Sequence, residues 1–150
     1  MSLSLLKPEI TKIIRTSKTV DSKLSKICEF LQENVKHYDW VGFYFKNRDK
    51  PELKLKAYAG KPTDHTIIPF GKGICGQVAV SNENFLVEDV NAQDNYIACS
   101  IDVKSEIVIP LFVNDENIGQ IDIDSNTANA FTQEDENFLV WLNAEVAKLY

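Results

Sequence analysis

The stretch EIVIPLFVNDENIGQIDID, residues 106–124, decides the fold. Residues 106–113 are almost wholly apolar, and 118–124 alternate between apolar and polar side chains; both patterns are typical of β-strands. The polar residues 114–117 between them favour a turn. The sequence therefore predicts an antiparallel β-hairpin.

Further strands are predicted on the N-terminal side of this hairpin. Residues 40–45 are aromatic, 53–59 alternate in polarity, and the polar loop 46–51 joins them. Shorter extended segments are expected at 66–69 and 84–90.

Helical periodicity, in which apolar residues recur three and four positions apart, predicts four helices. Asp21 or Ser22 would cap the second helix, while Thr132 and Asp135 have the spacing of a capping box at the start of the last. Helices followed by mostly antiparallel strands and a final helix indicate an α+β fold with helices on one face of the sheet. The predicted helices span residues 1–18, 21–37, 73–80 and 132–149.

Composition is typical of a soluble, single-domain protein. The 150 residues are 44% hydrophobic and 25% charged, without repeats or linkers, so 1–150 should form one domain with 1–20 as an N-terminal helical extension. A net charge of −6 argues against nucleic-acid partners and anionic membrane surfaces. There is no apolar run of membrane length, no visible signal peptide and no cysteine framework, so we expect a cytoplasmic protein.

The hairpin carries a group of acidic residues. With a period of two, Asp122 and Asp124 share one face of the second strand, and Glu106 would lie at the same end of the hairpin. Such carboxylates repel one another unless water, a cation or a shared proton relieves them. Two interpretations stay open: a solvated outer face, or a pocket that binds an ammonium group or keeps one carboxyl protonated as an acid.

The three cysteines differ in their settings. Cys28 falls on the apolar face of the second helix and is interpreted as structural. Cys75 lies in a first helical turn, where the helix dipole would lower its pKa. Cys99 lies in the polar, irregular segment 91–104. A zinc site formed by His65, Cys75 and Cys99 would lack the paired ligand spacing that is typical of zinc sites, so we predict no metal.

The segment GKGICG, residues 71–76, matches the dinucleotide-binding fingerprint G-x-G-x-x-G. That fingerprint requires a preceding strand, a long following helix and a parallel crossover. Here the predicted helix ends before Asn82 and the flanking strands read as antiparallel, so we predict no cofactor.

Aromatic residues in the first predicted strand offer a second binding element. By alternation Trp40, Gly42 and Tyr44 share one face, while Phe43 and Phe45 share the other. One face would feed the core. The other would present Trp40 and Tyr44 to a ligand, or pack them under a terminal helix.

Together these motifs resemble the free methionine-(R)-sulfoxide reductases, which are single GAF domains. The resemblance extends from about residue 24 to the C-terminus, with the motifs in the family's order. It implies a six-stranded antiparallel sheet with helices packed on it and, commonly, a homodimer. The motifs are DWVGFY (39–44), IPFGKGICG (68–76), IAC (97–99), SEIVIP (105–110) and GQIDIDS (119–125).

The resemblance also implies roles for individual residues. Cys99 corresponds to the family's nucleophile, and Cys75 to a second redox-active cysteine. An aromatic pair holds the methylthio end of the substrate, and a group of carboxylates engages its polar end. The corresponding substrate-binding positions are Trp40, Tyr44, Glu106, Asp122 and Asp124.

The activity implied by this resemblance is the reduction of free L-methionine (R)-sulfoxide to methionine. Cys99 would become a sulfenic acid, a second thiol would condense with it, and thioredoxin or another thiol reductant would restore both. Three features depart from the family: His65 stands where it has a cysteine, Asn95-Tyr96 replaces a Gly-His pair, and the loop 46–51 is slightly longer. The alternative is therefore a GAF module that binds a small molecule with little catalysis.

Overall fold

The structure, a computed structural model, describes residues 2–92 and 102–150. Each predicted helix and strand is present, and half of them are shorter than the sequence pattern predicts while the other half are longer. None of the helices in these two ranges is long and apolar enough to cross a bilayer. The helices are α1 (Lys7–Thr16), α2 (Val20–Asn34), α3 (Gly73–Ser81) and α4 (Gln133–Ala147). The strands are β1 (Trp40–Lys46), β2 (Glu52–Ala59), β3 (Ile67–Pro69), β4 (Phe85–Val87), β5 (Ser105–Val113) and β6 (Glu116–Ser125).

The strands form one antiparallel sheet in the order β3-β2-β1-β6-β5-β4. The predicted hairpin is β5 and β6, but its loop is shorter than predicted because Val113 pairs with Glu116. Asn114 and Asp115 make the turn, with φ of 52° and 66°. Two successive positive φ values characterise the tight hairpin turn that matches the twist of the strands. The α+β class and the six-stranded antiparallel sheet are confirmed.

Strand alternation gives the sheet two buried faces. One face, which includes Val41 and Phe43, packs against α1, α2 and α4 in the larger core. The other, which includes Trp40, Tyr44 and Val108, packs against α3. The expectation that helices cover one face was therefore wrong: the second face is also apolar enough to require a cover, and α3 supplies it.

The helix ends follow the capping rules with one correction. Thr19, rather than Asp21 or Ser22, caps α2, and its Oγ1 accepts a hydrogen bond from the backbone N–H of Ser22 at 3.1 Å. The helix begins one residue earlier than predicted, which moves the cap back. At α4 the capping box between Thr132 and Asp135 is confirmed.

Candidate active site

Three carboxylates lie together on the α3 face of the sheet. Glu106 on β5 pairs directly with Asp124 on β6, and Asp122 lies two residues earlier on β6, opposite Val108. Each of the three acidic residues is at most 3% exposed. The interpretation of a solvated outer face is therefore excluded, and the charges must be relieved within the protein.

Helix α3 brings Cys75 against these carboxylates. Its thiol donates to Glu106, with 3.9 Å between Sγ and Oε2. Burial, followed by the negative charges of Asp122, Glu106 and Asp124, raises the pKa of the Cys75 thiol well above its usual value. The expectation that the helix dipole lowers this pKa was wrong, because burial and three carboxylates outweigh the partial charge at a helix end.

Asp122 is hydrogen-bonded to both Glu106 and Cys75. Burial raises the pKa of Asp122 by more than these hydrogen bonds lower it. Two carboxyl groups in contact hold a proton between them, so one of the pair stays protonated at a higher pH than an exposed carboxyl would. The cluster can therefore keep a proton available for an acid-catalysed step.

The two predicted aromatic residues lie beside this cluster on β1. Trp40 is 4% exposed and Tyr44 is fully buried, with 6.4 Å between their ring centroids. The indole Nε1 of Trp40 donates to the carbonyl of Lys61 at 3.0 Å. The hydroxyl of Tyr44 donates to the carbonyl of His65 at 2.8 Å. Each ring is thus oriented by a hydrogen bond at its polar end.

Three residues that sequence reasoning missed hold the indole in place. A Cβ at Gly42 would lie 2.3 Å from Cη2 of Trp40, and one at Gly60 would lie 2.9 Å from its Cδ1. Tyr58 stacks on the indole, with ring centroids 5.8 Å apart and an interplanar angle of 15°. A signal was present for Gly42, because a glycine inside an aromatic strand indicates the close approach of another group.

The predicted site residues that the structure describes line two different cavities. The inner cavity, about 10 Å³, is large enough for the centre of one water molecule. The outer cavity, about 390 Å³, is an open cleft near the end of β1. The inner cavity is lined by Tyr44, His65, Cys75, Glu106 and Asp122, whereas Trp40 and Asp124 line the outer one.

The same cluster has the residue types and the spacing of a possible metal site. The Sγ of Cys75 and carboxylate oxygens of Glu106 and Asp122 lie within 4.8 Å of one another. Hydrogen bonds join these three groups to one another in the structure. The predicted nucleophile, Cys99, lies outside the described residues.

The fold and the acidic, thiol-containing face agree with one known family. Residues 17–147 match the family model of the GAF domain. The free methionine-R-sulfoxide reductase of Escherichia coli is 38% identical over 126 residues, which are 84% of this chain and 74% of that protein. Protein YtsP of Bacillus subtilis is 38% identical over 109 residues, which cover 73% of this chain and 66% of YtsP, slightly less than two thirds of its length.

A solved structure extends the likeness to the whole fold. The X-ray structure of free methionine-R-sulfoxide reductase from Neisseria meningitidis, in complex with its substrate, superposes with a TM-score of 0.92 at 33% identity. The match covers 98% of this chain and 87% of that chain. The chain belongs to the GAF-domain family and, within it, to the free methionine-R-sulfoxide reductases.

Proposed function

We propose that this protein reduces free L-methionine (R)-sulfoxide to methionine. The observation that carries the proposal is the buried cluster of Cys75, Glu106 and Asp122, in which a thiol and a proton-holding pair of carboxyls line one cavity. The choice of substrate follows the names of the relatives, which are free methionine-R-sulfoxide reductases. A thiol and an available proton are the two groups that thiol-based reduction of a sulfoxide requires.

Substrate recognition divides between the polar and apolar groups of the site. A free amino acid carries an ammonium group, which buried carboxylates attract strongly because little solvent screens them. Asp124, at the outer cavity, and Glu106 are proposed to engage this end. Trp40 and Tyr44 supply the apolar surface for the methylthio end.

The proposed reduction begins at Cys99. Its thiolate attacks the sulfoxide sulfur, and the carboxyl pair of Glu106 and Asp122 protonates the departing oxygen. The oxygen passes to the cysteine, so that thiol and sulfoxide give sulfenic acid and methionine. The substrate sulfur gains two electrons and the cysteine sulfur loses two.

Regeneration of Cys99 is proposed to use Cys75. Its thiol condenses with the sulfenic acid, and a disulfide and one water form. The thiol must lose its proton in this step, and Glu106, whose Oε2 lies 3.9 Å from Sγ, is the acceptor beside it. Thioredoxin or another thiol reductant then reduces the disulfide.

The proposed setting is the cytoplasm, and the proposed assembly is a homodimer. Cys28 and Cys75 are both free thiols, in keeping with a reducing compartment. No cofactor or metal enters the proposed reaction, because both electrons come from thiols.

The test is product formation from the separate R and S epimers of free methionine sulfoxide, first with dithiothreitol and then with thioredoxin. We expect methionine from the R epimer alone. Cys99→Ser should lower turnover by at least about a hundredfold, since it removes the nucleophile. Cys28→Ala is the matched control: it removes a thiol from the opposite core and should keep most of the activity.

The outcomes separate the steps. Turnover with dithiothreitol but not with thioredoxin would locate a fault in regeneration by Cys75. Retained turnover in Cys99→Ser, or no methionine from either epimer with either reductant, would contradict the proposed reaction.

A second candidate is a GAF module that binds an amino-acid-like ligand without efficient turnover. His65 occupies a family cysteine position at the inner cavity, and the neighbouring Cys75 thiol has a raised pKa that makes it a weak nucleophile. A saturable rise in melting temperature with methionine sulfoxide, without product, would favour this candidate.

A further inference from the structure

Gln120 is a buried amide directly behind the candidate active site. It lies on β6 two residues before Asp122, and thus on the same face of the sheet. Its neighbours across the strands are Tyr44 on β1 and Pro110 on β5. Gln120 is 0% exposed, so its amide makes its interactions inside the protein.

The amide joins the sheet to the helix that carries the thiol. Nε2 of Gln120 donates to the backbone carbonyl of Cys75 at 3.0 Å. One side chain therefore connects the strand of Asp122 to the first turn of α3. The apolar contacts of α3 hold it on the sheet but allow sliding, whereas a hydrogen bond to one carbonyl specifies its position.

The buried amide of Gln120 lowers the stability of the folded protein through its oxygen atom. Among residues 2–92 and 102–150, no hydrogen-bond partner reaches its Oε1, which is fully buried. A buried acceptor without a partner loses its hydration without replacement, and methionine would fill a similar volume without that loss. Stability alone would therefore favour an apolar side chain at this position.

We propose that Gln120 is a positioning residue that holds the Cys75 thiol against Glu106. This inference rests on the proposed function, in which Glu106 takes the proton of Cys75. Without the amide, the first turn of α3 would relax away from the carboxylates. The thiol would then lie farther from its proton acceptor and from the negative charge that surrounds it.

The test compares Gln120→Met with Asn143→Leu. Asn143 is the matched control because its buried amide also ties an element to backbone carbonyls, those of Ile109 and Pro110, and also leaves an oxygen without a hydrogen-bond partner among the described residues. It lies on α4, on the opposite face of the sheet. Both substitutions remove a buried amide, and only one of them is next to Cys75.

The readout is the ionisation of Cys75, followed by NMR of protein carrying isotope-labelled cysteine. In Gln120→Met the midpoint should fall by about one pH unit or more, a tenfold rise in the ionised fraction at fixed pH. Asn143→Leu should leave the midpoint where it is in the wild type. Thioredoxin-dependent turnover in Gln120→Met should still fall severalfold more than in the control, because the displaced thiol is farther from its proton acceptor Glu106 and this loss outweighs its larger ionised fraction.

An unchanged Cys75 midpoint in Gln120→Met, or an equal change in both variants, would overturn the positioning role. The measurement needs no turnover, so it also decides the role of Gln120 if the protein reduces no sulfoxide. Failure of the proposed function would instead appear as absence of product in the wild type.

Discussion

Glu106 and Asp124 face each other directly across the β5–β6 ladder, each at most 3% exposed. Directly opposed side chains have Cβ atoms about 4.5–5.5 Å apart, and like charges in such pairs are destabilising. The register of the sheet thus holds together two groups that would separate in solution. A slip of β6 by one residue would move its aspartates into the larger core, so the hydrophobic alternation of β6 preserves the site.

Gly42 should not tolerate a side chain, because the indole of Trp40 occupies the space above it. A Cβ at Gly42 would lie 2.3 Å from Cη2 of Trp40. Gly42→Ala should therefore displace the ring, lower the free energy of unfolding by about 1–3 kcal/mol and raise the KM for the sulfoxide. Urea denaturation and steady-state kinetics measure the two effects.

The matched control is Gly42→Ala combined with Trp40→Phe, since a smaller ring leaves room for the new methyl group. The stability lost in the double variant should be less than the sum of the two single losses. If the two single losses of stability simply add in the double variant, a clash between the new methyl group and the Trp40 ring is not the cause of the loss in Gly42→Ala.

Asp122 should make the protein less stable as the pH rises. Burial raises its folded-state pKa above the unfolded value of 3.8, so the folded protein binds this proton more tightly. The free energy of unfolding should fall as the pH rises from about 4 through the folded-state pKa, and then level off. Denaturation with urea at stepwise pH should show this fall in the wild type.

Asp122→Asn should remove that fall, because the amide does not titrate. Asp49→Asn, a substitution of the same kind at an exposed position, should retain it. The prediction is wrong if the stabilities of Asp122→Asn and the wild type keep a constant difference across this range.

Asp135 should have the opposite pH dependence. Burial alone would raise the pKa of Asp135, but hydrogen bonds from His37, Thr132 and Tyr38 lower it below its usual value. This stabilisation is complete above the unfolded value of 3.8 and is lost as the pH falls through the lowered folded-state pKa. Asp135→Asn should cost about 1–3 kcal/mol at neutral pH, measured by urea denaturation.

Tyr38→Phe provides a graded control for Asp135, because it removes one hydrogen bond and keeps the carboxylate. The hydroxyl of Tyr38 donates to Oδ1 of Asp135 at 2.7 Å. Its loss should cost less than Asp135→Asn. Equal stability of Asp135→Asn and the wild type at neutral pH would contradict a structural role for this network.

Much of the site was predictable because it depends on strand alternation. Period two places Asp122 with Asp124, and Trp40 with Tyr44, whatever the rest of the chain does. The support given to Trp40 by Tyr58 and Gly60 was not predictable, because those contacts join different strands and a loop. The tie from Gln120 to Cys75 spans 45 positions and has no local pattern.

The sequence by itself determined the strands, the helices and the side chains that share a face, because the repeats of 2.0 and 3.6 residues are local properties of the backbone. Only the tertiary structure decided that the acidic face is buried, since that depends on α3 crossing over β5 and β6. Burial then reversed the expected behaviour of Cys75, because removal of water raises the pKa of a thiol among carboxylates more than a helix end lowers it.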